Sequence, residues 1–135
     1  MKIKEENRKM LINDIKFIID RMEKEKETEQ KLYYFTGIYG TIARIFNIEF
    51  DPELVFAHII LSMTYGNIKS RIDEREKVIK LPPELFDKLI STTKEFLEKI
   101  EKNENLCDVL KKYAVIAYLT TGNGYYLYQK GLLTL

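Results

Sequence analysis

Apolar residues recur at the spacing of an α-helix along most of this chain. Near its start, Leu11, Ile15, Ile18 and Met22 lie four, three and four residues apart, which places them on one helical face. Similar stripes return in the later apolar segments. No segment shows the sustained alternation of apolar and polar residues that indicates a half-buried strand. The periodicity therefore predicts an all-α protein.

The helical segments predict one compact bundle of about five helices. A chain of 135 residues is the length of a single domain, so residues 1–135 are taken as one helical-bundle domain. The predicted helices cover residues 5–26, 30–47, 51–71, 84–100 and 106–121, and the polar residues 73–80 join two of them. Short connections favour antiparallel neighbours. Two questions stay open: whether the first two helices form one rod, and whether residues 125–135 pack back on the bundle or reach a partner.

The third predicted helix has the strongest start signal in the chain. Asp51 can accept hydrogen bonds from free backbone N–H groups, Pro52 suits the first helical position, and Glu53 favours the positive end of the helix dipole. The residues that follow, as far as Met63, are apolar on almost every side. This pattern predicts that helix 51–71 lies at the centre of the bundle.

Composition limits the chemistry that one copy of the chain can carry. It has one cysteine and one histidine, so it can form neither an internal disulfide nor a zinc site of Cys and His ligands. The carboxylate pairs lie in charged runs typical of solvated surface. No metal or cofactor is expected. The charged first residues and the short apolar runs predict a cytoplasmic protein without a membrane segment.

No set of residues in the sequence indicates catalysis. His58 and Ser62 lie one turn apart, but no group that could orient the histidine and no oxyanion site accompanies them. We interpret His58 as a buried, hydrogen-bonded histidine and Cys107 as a small core residue. Gly122 and Gly124 are interpreted as a helix stop. The protein is therefore expected not to be an enzyme.

The end of the third helix is the most suggestive stretch, because apolar residues give way there to "TYGNIKSR". Tyr65, Asn67, Lys69 and Arg71 could together contact phosphate and sugar, or they could form an ordinary polar helix end. The net charge is only +1, so any nucleic-acid surface must be a local cluster of cations. The chain also has nine tyrosines, which favour interfaces and can stack on bases.

Four segments, spread over residues 29–126, resemble the small α-helical subunit of type III-A (Csm) CRISPR effector complexes. They are "EQKLYYFTGIYGTI", "FDPELVFAHIILSMTYGNIKSR", "LPPELFDKLISTTKEFLEKI" and "LCDVLKKYAVIAYL". Lys31 takes the place of an arginine in the first motif. Asn67 stands where the second motif has a cation, a role that Lys69 or Arg71 could take over.

The resemblance implies a non-catalytic subunit in antiviral defence. Several copies would stack along the guide–target RNA duplex beside larger effector subunits, and would contact mainly the sugar-phosphate backbone. Lys111 and Lys112 are weaker additions to the expected contacts. The residues expected to bind RNA are Lys31, Arg44, Tyr65, Asn67, Lys69 and Arg71.

The alternative is a helical protein–protein interaction module with no nucleic-acid role. It would be a homodimer that self-associates through tyrosine-rich helix faces or through residues 125–135. The two hypotheses differ in geometry. RNA binding requires Lys31 to lie near Lys69 and Arg71 on one side of the molecule. If residues 125–135 form the contact of the interaction module, their deletion should shift its mass in solution to that of the monomer.

Overall fold

The computed structural model describes residues 1–73 and 80–135, and in these ranges the chain is all-α, as predicted, with six helices and no strand. The predicted connection over residues 73–80 lies outside the described residues except at its two ends. None of the six helices is long and apolar enough to cross a membrane. The helices are α1 Glu5–Lys24, α2 Thr28–Ile45, α3 Pro52–Asp73, α4 Glu84–Glu101, α5 Cys107–Leu119 and α6 Gly122–Gln129.

Local chemistry explains where these helices begin and end. Asp51 Oδ1 accepts a hydrogen bond from the backbone N of Leu54 at 3.0 Å, so α3 begins at Pro52 as predicted. Between α1 and α2 the chain is extended at Glu25 and Glu27. The first two helices are therefore separate and do not form one rod.

Five of the helices surround a shared core. The pairs α1/α2, α2/α3, α3/α5, α4/α5 and α1/α4 pack together, so that each of these five helices touches two others, and α6 packs on α5. At the centre, the Tyr113 ring lies 5.9 Å from the Phe35 ring and 6.1 Å from the Phe96 ring. Side chains of α2, α4 and α5 therefore meet in one interior.

The contacts between α3 and α5 correct the prediction that neighbours are antiparallel. Thr64 Oγ1 donates to the Tyr113 carbonyl at 3.3 Å, and Asn67 Nδ2 donates to the Ala117 carbonyl at 3.2 Å. Residue numbers rise together along the two helices, so this pair runs parallel. In a closed arrangement of five helices the directions cannot alternate all the way round, and one neighbouring pair must share a direction.

The position of α3 also differs from the prediction, because this helix is not central. Leu54 and Leu61 are fully buried, but Phe56, Ile59 and Met63 are 46%, 48% and 54% exposed. The apolar residues of α3 do surround the helix, but the neighbours α2 and α5 cover only part of it. An apolar helix surface is stabilised by a cover, and residues 1–73 and 80–135 do not supply a complete one for the outer face of α3.

Two smaller predictions are wrong for reasons of tertiary placement. Cys107 is exposed, because it opens α5 on the side away from the buried Val109 and Leu110. Gly122 and Gly124 do follow the end of α5, but they form the first turn of α6. The new helix begins there because Thr121 Oγ1 accepts a hydrogen bond from the backbone N of Gly124 at 3.0 Å.

Tyr113 combines the largest fully buried side chain with a titratable hydroxyl. Its hydroxyl donates to Thr93 Oγ1 at 2.8 Å, and Thr93 in turn donates to the Leu89 carbonyl at 2.8 Å. Burial raises the pKa of Tyr113 far above the ordinary 10.0, because the phenolate would lose its hydration. The hydroxyl therefore stays protonated in the folded protein at pH values where it ionises in the unfolded chain.

This pKa difference predicts an alkaline loss of stability. Above pH 10 the unfolded chain releases the Tyr113 proton and the folded chain keeps it, so the free energy of unfolding falls by about 1.4 kcal/mol per pH unit from this group. In Tyr113→Phe this contribution is absent. Urea unfolding of both proteins at pH 8, 10 and 11 is expected to show the stability advantage of the wild type shrinking above pH 10. A constant difference would contradict the assignment.

Candidate nucleic-acid interface

Four of the six predicted RNA-binding residues meet where the start of α2 approaches the end of α3. Lys31 and Arg71 line one cleft of about 530 Å³, which Lys80 also borders. Tyr65 and Lys69 line a second cleft of about 380 Å³. Glu29 lines both, so the two clefts adjoin. We call Lys31, Tyr65, Lys69 and Arg71 the basic cluster.

Two cations of the basic cluster, Lys31 and Arg71, also hold parts of the bundle together. Lys31 Nζ donates to the Met22 carbonyl at 2.6 Å, near the C-terminal end of α1, and Arg71 Nε donates to the Thr120 carbonyl at 2.6 Å. Both contacts favour a cation, because the carbonyl ends of helices carry partial negative charge. They position the two side chains at the edge of the clefts.

Lys69 has a different environment from the other two cations. Its Nζ lies 3.0 Å from Asp73 Oδ1, one helical turn away, and this hydrogen bond raises the pKa of Lys69 above its ordinary value. The pair is exposed, so water and salt screen it. An ammonium group has three N–H donors, and one such contact does not exhaust its capacity to bind a phosphate.

Arg44 and Asn67 are not part of the basic cluster. Arg44 pairs with Asp14 Oδ2 at 2.9 Å on the α1 side of α2, about 20 Å along the helix from Lys31 at 1.5 Å per residue. Asn67 is directed toward α5, where it donates to the Ala117 carbonyl. Both side chains serve contacts between helices, which their position in the sequence did not reveal.

A row of aromatic rings leads away from the basic cluster, and sequence reasoning missed it. From Tyr65 it passes through Tyr39, His58, Phe46 and Phe50, with successive ring centroids 6.0, 5.7, 6.4 and 6.2 Å apart. Burial raises the pKa of Tyr39, and the nearby Tyr65 adds to the shift. The sequence contained the pattern needed to find it, since Tyr39 of α2 and Phe46 at the C-terminal cap of that helix are seven residues apart, as are His58 and Tyr65 on α3.

The place of His58 in this row also answers the question of a catalytic pair. His58 is half-buried between the rings of Tyr39 and Phe46. Ser62 turns away and donates its hydroxyl to the Ile59 carbonyl at 3.0 Å. The two side chains are thus used in different ways, and their geometry does not pair a base with a nucleophile.

The charge around the clefts is mixed, with a small excess of cations among the described residues. Lys31, Lys69, Arg71 and Lys80 face the carboxylates of Glu29, Asp73 and Asp87. Lys112 lies elsewhere, on α5, and pairs with Glu95 of α4 at 2.6 Å. Such a surface can contact a polyanion, but its affinity alone will be modest and sensitive to salt.

Neither a candidate metal site nor a similar protein gives further evidence about the function. In residues 1–73 and 80–135, no group of three or more His, Cys, Asp or Glu side chains is placed to hold a metal ion. Comparison of the chain with family models, curated proteins and solved structures gave no match. The function must therefore be argued from the geometry of the chain itself.

Proposed function

We propose that the protein is a non-catalytic small subunit of an RNA-guided, type III CRISPR effector complex. In this role it contacts the backbone of the guide or target RNA and the neighbouring larger subunits. The observation that carries the proposal is the meeting of Lys31 with Lys69 and Arg71 at adjoining clefts, although they come from separate helices. The segments that resemble the family supply these same residues.

The basic cluster would act by holding phosphates while Tyr65 packs against sugar or base. Contacts of this kind give register on the RNA and little preference for its sequence. The row of rings that begins at Tyr65 extends the surface on which bases could stack. With a net charge of +1, the protein would rely on protein neighbours for most of its affinity for the complex. Arg44 and Asn67 act only in packing.

The proposal includes a finer description of the molecule and its place in the cell. We take residues 1–135 as one domain in which α1 to α5 form a closed bundle, with antiparallel neighbours apart from α3 and α5. We place it in the cytoplasm as a component of antiviral defence. A cofactor has no part in this function, and the protein itself catalyses no reaction.

The proposed surface predicts RNA binding that depends on salt and on Lys69. Lys69→Glu is expected to weaken binding to an RNA duplex about tenfold at low salt. The affinity should also become less sensitive to salt, so that the magnitude of the negative slope of log affinity against log salt falls by about one. The effect is expected to be the same for unrelated RNA sequences. Fluorescence anisotropy over a range of salt concentrations measures both quantities.

Lys94→Glu is the matched control for this prediction. Lys94 pairs with Glu23 at 3.0 Å, as Lys69 pairs with Asp73, but it lies on α4, which packs on α1 and α5. RNA affinity should be unchanged in this variant. Equal losses in both variants, or no RNA binding by the wild type at low salt, would contradict the proposed surface. Native purification that yields neither RNA nor larger subunits would contradict the assembly role.

A helical interaction module, homodimeric and without a nucleic-acid role, is the second candidate. It is favoured by an apolar groove of about 580 Å³ between α5 and the end of the chain. Tyr118 and Leu132 border this groove and are 45% and 76% exposed. Surface of this kind indicates contact with protein. Self-association together with a failure to bind RNA at low salt would favour this candidate over the first.

A further inference from the structure

The outer face of α3 carries a line of residues that no other part of the described chain covers fully. Phe56, Ile59 and Met63 lie on it, each about half exposed. With one further residue on its N-terminal side and two on its C-terminal side, the line has residues spaced four, three, four, three and four apart. This is the spacing of the contact positions between two packed helices in a coiled coil. We call these residues the α3 stripe: Pro52, Phe56, Ile59, Met63, Gly66 and Ser70.

The positions of the α3 stripe are arranged symmetrically about that of Leu61. Ile59 and Met63 lie two residues either side of this position, and Phe56 and Gly66 lie five residues either side. If a second α3 packs antiparallel to the first about a two-fold axis at that position, Ile59 of each copy faces Met63 of the other, a side chain of similar size. The Phe56 ring of each copy then faces Gly66 of the other, so a large side chain meets a hollow.

Among the residues that the structure describes, none approaches Gly66 closely enough to require its lack of a side chain. A Cβ built on Gly66 meets nothing within 4 Å, whereas a Cβ on Gly37 of α2 would lie 2.9 Å from Ile18 Cδ1. Glycine inside a helix is destabilising relative to alanine. The packing of α1 on α2 therefore accounts for Gly37, whereas the open space at Gly66, on the exposed face of α3, leaves room for a side chain of a second copy.

The charge pattern of α3 suits contact with a second copy. A two-fold axis brings each group near it opposite the same group of the other copy, so any charge there would be repelled. The α3 stripe has no ionisable side chain. The neighbouring Glu53 is turned inward, where it accepts from the Met1 amine at 2.8 Å and from the backbone N of Leu106 at 2.6 Å. The absence of cations also makes the α3 stripe unsuited to RNA.

We infer that two copies of this chain pair through their α3 stripes, in opposite directions, about a two-fold axis at Leu61. Phe56, Ile59 and Met63 each leave roughly 100 Å² exposed, so they supply about 300 Å² of the roughly 800 Å² that each partner buries in a standard interface. The remainder comes from the flanks of α3 and from the edges of its neighbours. Because the exposed α3 stripe supplies less than half of a standard interface, we expect the dimer to be reversible.

This inference does not rest on the proposed RNA function. The basic cluster lies at the C-terminal end of α3, so the two clusters of an antiparallel pair lie toward opposite ends of the contact. RNA binding and dimer formation are measured separately. Either can fail while the other holds.

The test uses analytical ultracentrifugation to measure the mass of the protein in solution as a function of its concentration. The wild type is expected to approach twice the chain mass of 16.0 kDa as concentration rises. Ile59→Glu places a carboxylate beside the two-fold axis and should raise the dissociation constant at least about thirtyfold. The matched control is Ile48→Glu, since Ile48 is another exposed isoleucine but lies outside the α3 stripe; it should leave the dissociation constant unchanged.

A size exchange tests the register of the pair. Gly66→Leu fills the hollow that faces Phe56 and should abolish the dimer, yet it has open space in the monomer, where circular dichroism and thermal unfolding are expected to show an intact fold. Adding Phe56→Ala to Gly66→Leu should restore the dimer, because the large and small side chains have changed places. A wild type that stays monomeric up to about 1 mM, a dimer that survives Ile59→Glu, or a double variant that stays monomeric overturns the inference.

Discussion

Tyr113→Ala is expected to lower the free energy of unfolding by about 3–5 kcal/mol. The substitution removes a fully buried ring from between Phe35 and Phe96, at the point where α2, α4 and α5 meet. The two neighbouring rings belong to different helices, α2 and α4, so they cannot move independently to fill the space. The Thr93 hydroxyl also loses the hydrogen bond that it accepts from Tyr113, and keeps only the one that it donates to the Leu89 carbonyl. Urea unfolding followed by far-ultraviolet circular dichroism measures the loss.

Tyr118→Ala on the same helix is the matched control for this prediction. Tyr118 is 45% exposed, so its removal leaves no enclosed cavity, and a change of less than about 1 kcal/mol is expected. Comparable losses at the two positions would show that Tyr113 is not the centre of the core. The same comparison separates the removal of a buried ring from any general effect of losing a tyrosine in α5.

Gly124→Ala is expected to cost about 3 kcal/mol, because a side chain at this position strikes the backbone. A Cβ on Gly124 would lie 1.8 Å from the Tyr118 carbonyl oxygen and 2.9 Å from Leu119 Cα. Backbone atoms at the end of α5 cannot yield as a flexible side chain can. We expect α6 to detach from α5, breaking the hydrogen bond between Tyr128 and Glu84 of α4.

Gly122→Ala separates this clash from the general properties of glycine in a helix. Gly122 lies in the same first turn of α6, and a Cβ there meets nothing within 4 Å. This variant should match the wild type or gain up to about 1 kcal/mol. Hydrogen exchange is expected to show faster exchange in α6 for Gly124→Ala alone. Equal stability of both variants would contradict the close approach of α6 to α5.

The candidate site could be predicted from the sequence only in part. The residues that follow the apolar part of α3 were recognisable, because a change from apolar to aromatic and basic residues is local. Whether their side chains point outward depends on α5, which runs parallel to α3 and takes up Asn67 through the Ala117 carbonyl. Arg44 was assigned to RNA although Asp14 of α1 holds it. For both Asn67 and Arg44, a residue distant in the sequence determines where the side chain lies.

The sequence by itself determined the helices and most of their ends. Hydrogen bonds inside a helix join residues four apart, and caps such as Asp51 act within three residues, so nearby residues hold all the information these features need. Only the tertiary structure decided that α3 lies beside α5 in the same direction, that the described residues leave the outer face of α3 half exposed, and that Lys31 approaches Arg71. These properties depend on which apolar helix faces pack against each other. That packing is determined jointly by helices that are far apart in the sequence.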